Sequence, residues 1–96
     1  MIQKETKSIH FVGIGGIGMS GIAYILLKSG YQVSGSDQKT SSITNKLKIN
    51  GAHIFIGHNS IHINSQDLIV YSTAISESNP ELVEARKRKI PIIQMQ

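Results

Sequence analysis

The sequence predicts an α/β domain in three layers, with helices on both faces of a five-stranded parallel sheet. Short apolar runs rich in β-branched residues alternate with segments of helical periodicity, and short connections join them. The run Leu68-Ile69-Val70 is continuously apolar, as expected for a parallel strand that is covered on both faces. Strands that alternate with helices in this way imply parallel pairing with right-handed crossovers.

Five strands are expected from runs of β-branched and aromatic residues, most of which end at glycine, aspartate or serine. In the second strand, polar and apolar residues alternate, so we expect it to be less buried than the first. The predicted strands are residues 8–12, 31–36, 52–56, 67–71 and 90–94.

The first predicted helix, residues 17–29, places Ile22, Leu26 and Ser29 on one face. Glycines 18 and 21 near its start are expected to let it lie close to the sheet. Gly30 follows it, where a left-handed C-terminal cap is expected.

Two further helices are indicated by their caps. Thr40, Ser41 or Ser42 can begin a second helix that runs to about Asn50. Asn79-Pro80-Glu81 supplies a cap, a proline at the first helical position and an acid in the first turn of a third. Residues 57–66 leave room only for one helical turn or a bare crossover.

A glycine-rich segment lies between the first strand and the first helix. Gly13, Gly15 and Gly18 fit the pattern G-x-G-x-x-G, in which backbone N–H groups and the positive end of a helix hold a diphosphate. Asp37 follows at roughly the 20-residue spacing at which Rossmann folds bind a ribose hydroxyl. The sequence therefore predicts a Rossmann-like nucleotide-binding domain.

Composition limits the other classes of function. A chain of 96 residues with 40% hydrophobic and 17% charged residues predicts one globular domain, residues 1–96. Without cysteine there is no disulfide, thiolate metal site or cysteine nucleophile. The net charge of +4 comes with only 5% aromatic residues, so we expect no nucleic-acid partner and a solvated basic run at 86–89. The sequence has no long apolar segment, so we expect neither a signal peptide nor a membrane span.

The histidines differ in their expected roles. His10 and His53 lie inside predicted strands and are expected to be structural, while His62 lies in a polar loop and is expected to be solvated. His58 follows the third strand at the ligand edge, where it can hydrogen-bond a base or ribose. We expect no metal site and no catalytic residue, since no histidine pair has ligand spacing and Ser20 has no evident base.

The residues alone leave the ligand open. NAD is the usual ligand of this fingerprint, which makes an NAD(P)-binding module of a dehydrogenase or regulatory protein one hypothesis. No acid or base for hydride transfer is evident, however. A weaker hypothesis is an interaction module that uses the basic helix at 80–89.

Residues 9–23 carry a more specific pattern, the string Gly15-Gly16-Ile17-Gly18-Met19-Ser20. With it the chain resembles the N-terminal domain of the Mur ligases of peptidoglycan synthesis, among them the UDP-N-acetylmuramate–L-alanine ligases. The resemblance covers residues 8–93. Other agreeing stretches are Gly35-Ser36-Asp37, Gly51-Ala52, Gly57-His58, Ser72-Thr73-Ala74-Ile75, Asn79-Pro80-Glu81 and Ile90-Pro91-Ile92.

The resemblance implies that the domain binds the UDP part of UDP-N-acetylmuramic acid. The glycine segment would hold the diphosphate, Ser36, Asp37 and His58 would lie near the uridine, and the loop after the fourth strand would flank the nucleotide and sugar. The substrate-binding residues implied are Gly13, Gly15, Gly16, Ile17, Gly18, Met19, Ser20, Ser36, Asp37, His58, Ser72, Thr73 and Ala74.

The resemblance also implies what the complete enzyme does. With ATP and magnesium, such a ligase converts the muramyl carboxylate to an acyl phosphate, which L-alanine attacks. Central ATP-binding and C-terminal domains are expected as partners outside these 96 residues, since the chain contains no Gly-Lys-Ser or Gly-Lys-Thr. The chain is thus expected to bind substrate without ligating it and without its own cofactor. A cytoplasmic protein of cell-wall biogenesis, cell shape and cell division is implied.

Overall fold

The computed structural model describes residues 2–95 and has the predicted alternation of strands and helices. The predicted domain bounds of 1–96 stay a prediction, and Met1 and Gln96 lie outside the described residues. The observed elements are β1 (Ser8–Val12), α1 (Ile17–Lys28), β2 (Gln32–Asp37), α2 (Ser42–Ile49), β3 (His53–Ile56), a 3₁₀ turn (Ser60–His62), β4 (Leu68–Ser72), α3 (Pro80–Lys87) and β5 (Ile92–Met95).

The five strands form one sheet in the order β3-β2-β1-β4-β5, and every pairing is parallel. β1 lies at the centre, between β2 and β4, so the strand order reverses beside it. In open parallel sheets, ligands bind at such a reversal, outside the carboxyl ends of the strands. The topology therefore brings the loops after β1, β2, β3 and β4 to one candidate edge.

Two clusters of buried residues pack on opposite faces of the sheet, because alternate residues of β1 and β4 belong to different clusters. Met19, Ala23 and Leu47 of α1 and α2 join the first cluster. Leu82 and Ala85 of α3 join the second. The predicted three-layer architecture is confirmed.

The helix ends agree with the sequence signals. Ser41 caps α2 in a reciprocal pair of hydrogen bonds with Thr44, and the Asn79 side chain accepts from Glu81 N at the start of α3. Gly30 follows α1 with a φ of +100°, as the left-handed cap requires. Within residues 2–95, none of the helices combines the length and apolar content that a bilayer span needs.

The buried face of α1 differs from the prediction. Met19 and Ala23 are buried, whereas Ile22 is 38% exposed and Ile25 is 62% exposed. A side chain added at Gly18 or Gly21 would meet no atom within 4 Å, so neither glycine allows close packing on the sheet. The helix is apolar on almost every side, and its periodicity therefore does not determine which side faces the sheet.

The glycine that allows close packing is Gly35 of β2. A Cβ at Gly35 would stand 2.5 Å from Ile14 Cδ1 and 2.8 Å from the carbonyl oxygen of Phe11. Ile14, two residues after the end of β1, is fully buried. The missing side chain at Gly35 thus makes room for the residue that anchors the glycine segment to the core.

We expect Gly35→Ala to lower the free energy of unfolding by roughly 1–3 kcal/mol, because the added methyl overlaps backbone and a buried side chain. Urea unfolding measures this. Gly21→Ala is the matched control, since its methyl enters open space on an exposed helix position. It is expected to raise stability by up to roughly 1 kcal/mol. Equal stability of the Gly35→Ala variant and the wild-type chain would contradict the packing role.

Candidate functional site

The glycine segment leaves β1 through a left-handed residue and then begins α1. Gly13 has a φ of +83°, and the N–H groups of Gly13 and Ile14 donate to Ser36 O at 2.8 Å and 3.0 Å. Gly16 is the N-cap of α1, and no side chain among residues 2–95 caps this helix. Its first N–H groups are consequently available to an anion at the positive end of the helix dipole.

A cleft of about 160 Å³ opens beside this helix start. Four predicted site residues, Gly16 to Met19, form one wall, and Ser72 and Met95 from the ends of β4 and β5 form the other. A larger cleft of about 480 Å³ is lined by Ser8, Gln32 and other residues near the amino ends of the strands. It contains none of the predicted site residues. We take the smaller cleft as the candidate site, because parallel α/β sheets bind ligands at the carboxyl edge.

Asp37, at the end of β2, braces the glycine segment. Its Oδ2 accepts a hydrogen bond from Gly15 N at 2.8 Å, and a Cβ at Gly15 would lie 2.8 Å from that same oxygen. Its Oδ1 lies 3.5 Å from Lys39 N. Residue 15 must therefore be glycine if the carboxylate is to hold the loop, while Oδ1 accepts only the long hydrogen bond from Lys39 N among residues 2–95.

The loop after β4 completes this edge. Ser72 Oγ accepts from Ala74 N at 3.3 Å, and its carbonyl oxygen accepts from Ile75 N at 3.0 Å. These bonds make a tight turn in which Thr73 and Ala74 are exposed. Ser72 lines the cleft, whereas Thr73 and Ala74 are exposed and are not among its lining residues.

A buried carboxylate lies beneath the site. Glu81 is fully buried, and its Oε1 accepts from His10 Nε2 at 2.7 Å and from Ser36 Oγ at 2.8 Å. Its Oε2 accepts from His62 Nδ1 at 2.7 Å and from Asn59 N at 3.1 Å. One carboxylate of α3 thus joins β1, β2 and the connection between β3 and β4.

Burial and these hydrogen-bond partners determine the charge state of Glu81. Burial raises its pKa, but the hydrogen bonds from His10, His62 and Ser36, with the charge of His10, outweigh burial and lower the pKa from 4.5 to about 2. Glu81 is therefore ionised at neutral pH and accepts four hydrogen bonds without donating one. No group of three metal-binding side chains is placed to hold a metal ion among residues 2–95.

The histidines fall into clearly different environments. His10 is fully buried, as expected of a structural residue. The prediction that His62 is solvated is wrong, because its side chain is 12% exposed and donates to Glu81. His53 lies on the exposed side of β3, where its ring stacks on Phe55 at a centroid distance of 4.9 Å.

His58 lies at the candidate edge, and its Nδ1 is 2.8 Å from Ser36 Oγ. Ser36 is fully buried, so its hydroxyl supports His58 from below and does not face the cleft. From the sequence, Glu81 is predicted only as an acidic residue in the first turn of α3. Its partner His10 is 71 residues away, and no local pattern signals so distant a pair.

The basic run at 86–89 is exposed and partly paired, which agrees with the solvated face expected of it. Arg86 pairs with Glu77, and Lys87 and Arg88 pair with Glu84. Such exposed pairs contribute little to stability, but their two carboxylates balance half of the positive charge of the run.

The relationship to known proteins follows from a match over nearly the whole chain. Residues 8–96 match the family model described as "Mur ligase family, catalytic domain". The chain belongs to the Mur ligase family. The resemblance seen in the glycine segment is thereby confirmed.

Individual relatives agree with this assignment. The chain is 54% identical over 92 residues to the UDP-N-acetylmuramate–L-alanine ligase of Clostridium beijerinckii, covering 96% of this chain and 20% of that protein. The structure of UDP-N-acetylmuramate-alanine ligase from Thermotoga maritima matches with a TM-score of 0.87 and 39% identity, over 91% of this chain and 20% of that one.

A further member of the family has the same fold. The UDP-N-acetylmuramate:L-alanyl-gamma-D-glutamyl-meso-diaminopimelate ligase from Neisseria meningitides matches with a TM-score of 0.84 and 26% identity, over 93% of this chain and 28% of that one. The chain spans about a fifth of the length of the curated relatives that it matches.

Glu81 should make the stability of the chain depend on acid. Its pKa of about 2 in the folded state lies below the ordinary 4.5, so its contribution is complete above pH 4.5 and is lost as the pH falls towards 2. A shift of this size corresponds to about 3 kcal/mol, at about 1.4 kcal/mol per pKa unit. Urea unfolding at a series of pH values between 7 and 2 measures the loss.

Glu81→Gln should be less stable at neutral pH and should lack this acid-dependent loss. Glu84→Gln, on the same helix but at the surface, is the matched control and should keep it. An acid dependence that is the same in the wild-type chain and in Glu81→Gln would show that the buried carboxylate is not its source.

Proposed function

We propose that this chain binds the UDP part of UDP-N-acetylmuramic acid on behalf of a ligase that joins L-alanine to the muramyl carboxylate. The identity of 54% over 92 residues to a UDP-N-acetylmuramate–L-alanine ligase carries the proposal. In support, an open cleft and a helix start that no side chain of residues 2–95 caps follow the central strand. A substrate with a diphosphate suits a site whose main polar groups are backbone N–H groups.

In this proposal the diphosphate lies at the start of α1. Gly13 and the residues from Gly15 to Ser20 surround it, and the N–H groups of the first helical turn donate to its oxygens. Gly18 faces open space beside the cleft, which leaves room for phosphate oxygens against the backbone. Asp37 stays bonded to Gly15 N and keeps the segment in the binding shape before the ligand arrives.

The nucleoside would lie towards the ends of β2 and β3. Gly57 N donates to Asp37 O at 2.7 Å, which holds His58 beside the end of β2. Asp37 Oδ1 and the His58 ring are the polar groups that the chain offers to the uridine, while Ser36 acts through His58. Ser72, Thr73 and Ala74 flank the nucleotide and the sugar from the β4 side.

For the whole protein we propose the activity named for its relatives, ATP-dependent ligation in the cytoplasm, as a step of peptidoglycan synthesis that supports cell-wall biogenesis, cell shape and cell division. ATP and magnesium would supply the phosphoryl transfer that activates the carboxylate. The 96 residues contain no Gly-Lys-Ser or Gly-Lys-Thr, and we place that chemistry in central and C-terminal domains beyond them. This chain then holds the substrate but does not ligate it.

Titration of the purified chain with UDP-N-acetylmuramic acid, UDP and NADH tests the proposal, with melting temperature as the readout. Both UDP ligands should stabilise the chain, by roughly 2.7 kcal/mol at a hundred times the Kd, because they bind only the folded state. Stabilisation by NADH alone would instead support the NAD(P)-binding hypothesis.

Gly18→Val should weaken UDP binding at least about tenfold, because its side chain enters the cleft against which the diphosphate packs. Gly21→Val is the matched control, with the same substitution one turn further along α1 and equally open surroundings. It should bind UDP as the wild-type chain does, as measured by calorimetric titration. Equal affinities of the two variants would contradict the placement of the diphosphate.

A further inference from the structure

A chain of hydrogen bonds connects the buried carboxylate to the ligand edge. Glu81 Oε1 lies 2.8 Å from Ser36 Oγ, and Ser36 Oγ lies 2.8 Å from His58 Nδ1. The same Nδ1 is 3.8 Å from Glu81 Oε2. Ser36 and Glu81 are fully buried, whereas the His58 side chain is 12% exposed. The connection therefore runs from the interior to the surface.

The chemistry of these groups determines where the protons lie. The pKa of Glu81 is lowered to about 2, so its carboxylate can only accept. The hydroxyl of Ser36 has one proton, and it donates that proton to Glu81. The oxygen of Ser36 must then accept from His58, which places a proton on Nδ1 of the imidazole. The nearby negative charge of Glu81 favours the same arrangement.

The other ring nitrogen, Nε2, is not fully buried. Among residues 2–95, His58 Nε2 has no hydrogen-bond partner, and no buried side-chain nitrogen or oxygen in that range lacks one. Nε2 is consequently accessible to solvent. With the proton on Nδ1, a neutral ring carries a lone pair on Nε2 and can accept a hydrogen bond there.

We propose that Glu81, acting through Ser36, is a positioning residue that holds His58 in its Nδ1–H tautomer, so that Nε2 accepts a hydrogen bond from an N–H or O–H donor of the ligand. The identity of this ligand as a UDP-sugar rests on the proposed function. A neutral ring of the opposite tautomer would present an N–H at the same place and would repel that donor. Glu81 thereby determines that His58 Nε2 is a hydrogen-bond acceptor, although Glu81 itself does not touch the ligand.

The chain contains a matched control for this relay, the hydrogen-bonded series Glu81, Ser36 and His58. Ser34, two residues before Ser36 on β2, also bonds a histidine of the Glu81 network, with its Oγ at 2.8 Å from His10 Nδ1. Ser34→Ala and Ser36→Ala thus each remove one serine–histidine hydrogen bond from the same network. Only the second breaks the connection to His58.

Long-range ¹H–¹⁵N NMR of the imidazole rings at neutral pH measures the tautomer directly, with or without ligand. We expect His58 to carry its proton on Nδ1 in the wild-type chain and in Ser34→Ala. In Ser36→Ala the Nδ1–H population should fall, while Glu81 keeps its bonds to His10, His62 and Asn59. Calorimetric titration with UDP-N-acetylmuramic acid should show affinity roughly three- to tenfold weaker for Ser36→Ala, the value of one hydrogen bond, and unchanged for Ser34→Ala.

Several results would overturn the proposal. A wild-type His58 with its proton on Nε2 would do so without any variant, and so would an unchanged tautomer or affinity in Ser36→Ala. Equal losses of Nδ1–H population and of affinity in Ser34→Ala and Ser36→Ala would show that the effect is general damage to the network. A wild-type chain that holds the Nδ1–H tautomer yet binds no UDP ligand would contradict the proposed function, while the spectra would still support the relay.

Discussion

The buried carboxylate of Glu81 is the interaction on which the candidate edge depends. Glu81 belongs to α3, late in the sequence. Its carboxylate accepts hydrogen bonds from β1, from β2 and from the connection after β3. A charge in the interior is costly unless its partners are complete, and removal of one partner leaves the desolvation cost uncompensated. The relative positions of these elements are thus coupled through one group, and the ends of the strands that carry the site are held in register.

The glycine segment rests on a second set of contacts above this carboxylate. Ile14 enters the core over Gly35, Asp37 bonds Gly15 N, and Ser36 O accepts from Gly13 and Ile14. These contacts shape the segment, while no side chain in the described part of the chain, residues 2–95, caps the N–H groups at the start of α1. A site that is already formed binds its anion without a further cost of ordering, which suits a domain proposed to hold substrate for chemistry elsewhere.

Local signals predicted the elements well and the packing less well. The order of strands, the caps at Ser41 and Asn79 and the left-handed Gly30 all follow from residues close to one another in the sequence. The buried face of α1 did not follow, because an almost uniformly apolar helix has no marked side. The burial of His62 was missed as well, since a polar loop segment gives no indication of a carboxylate on a later helix.

The sequence by itself determined the fold class, the glycine segment and the family, because each depends on spacing and residue type within a short stretch. Tertiary structure decided which glycine makes room for a neighbour, which face of α1 is buried and which histidines meet Glu81. It also placed Ser36 below His58, with its hydroxyl turned away from the cleft. The physical reason is distance along the chain: contacts between residues 19 to 71 positions apart arise only when the sheet brings the strands together.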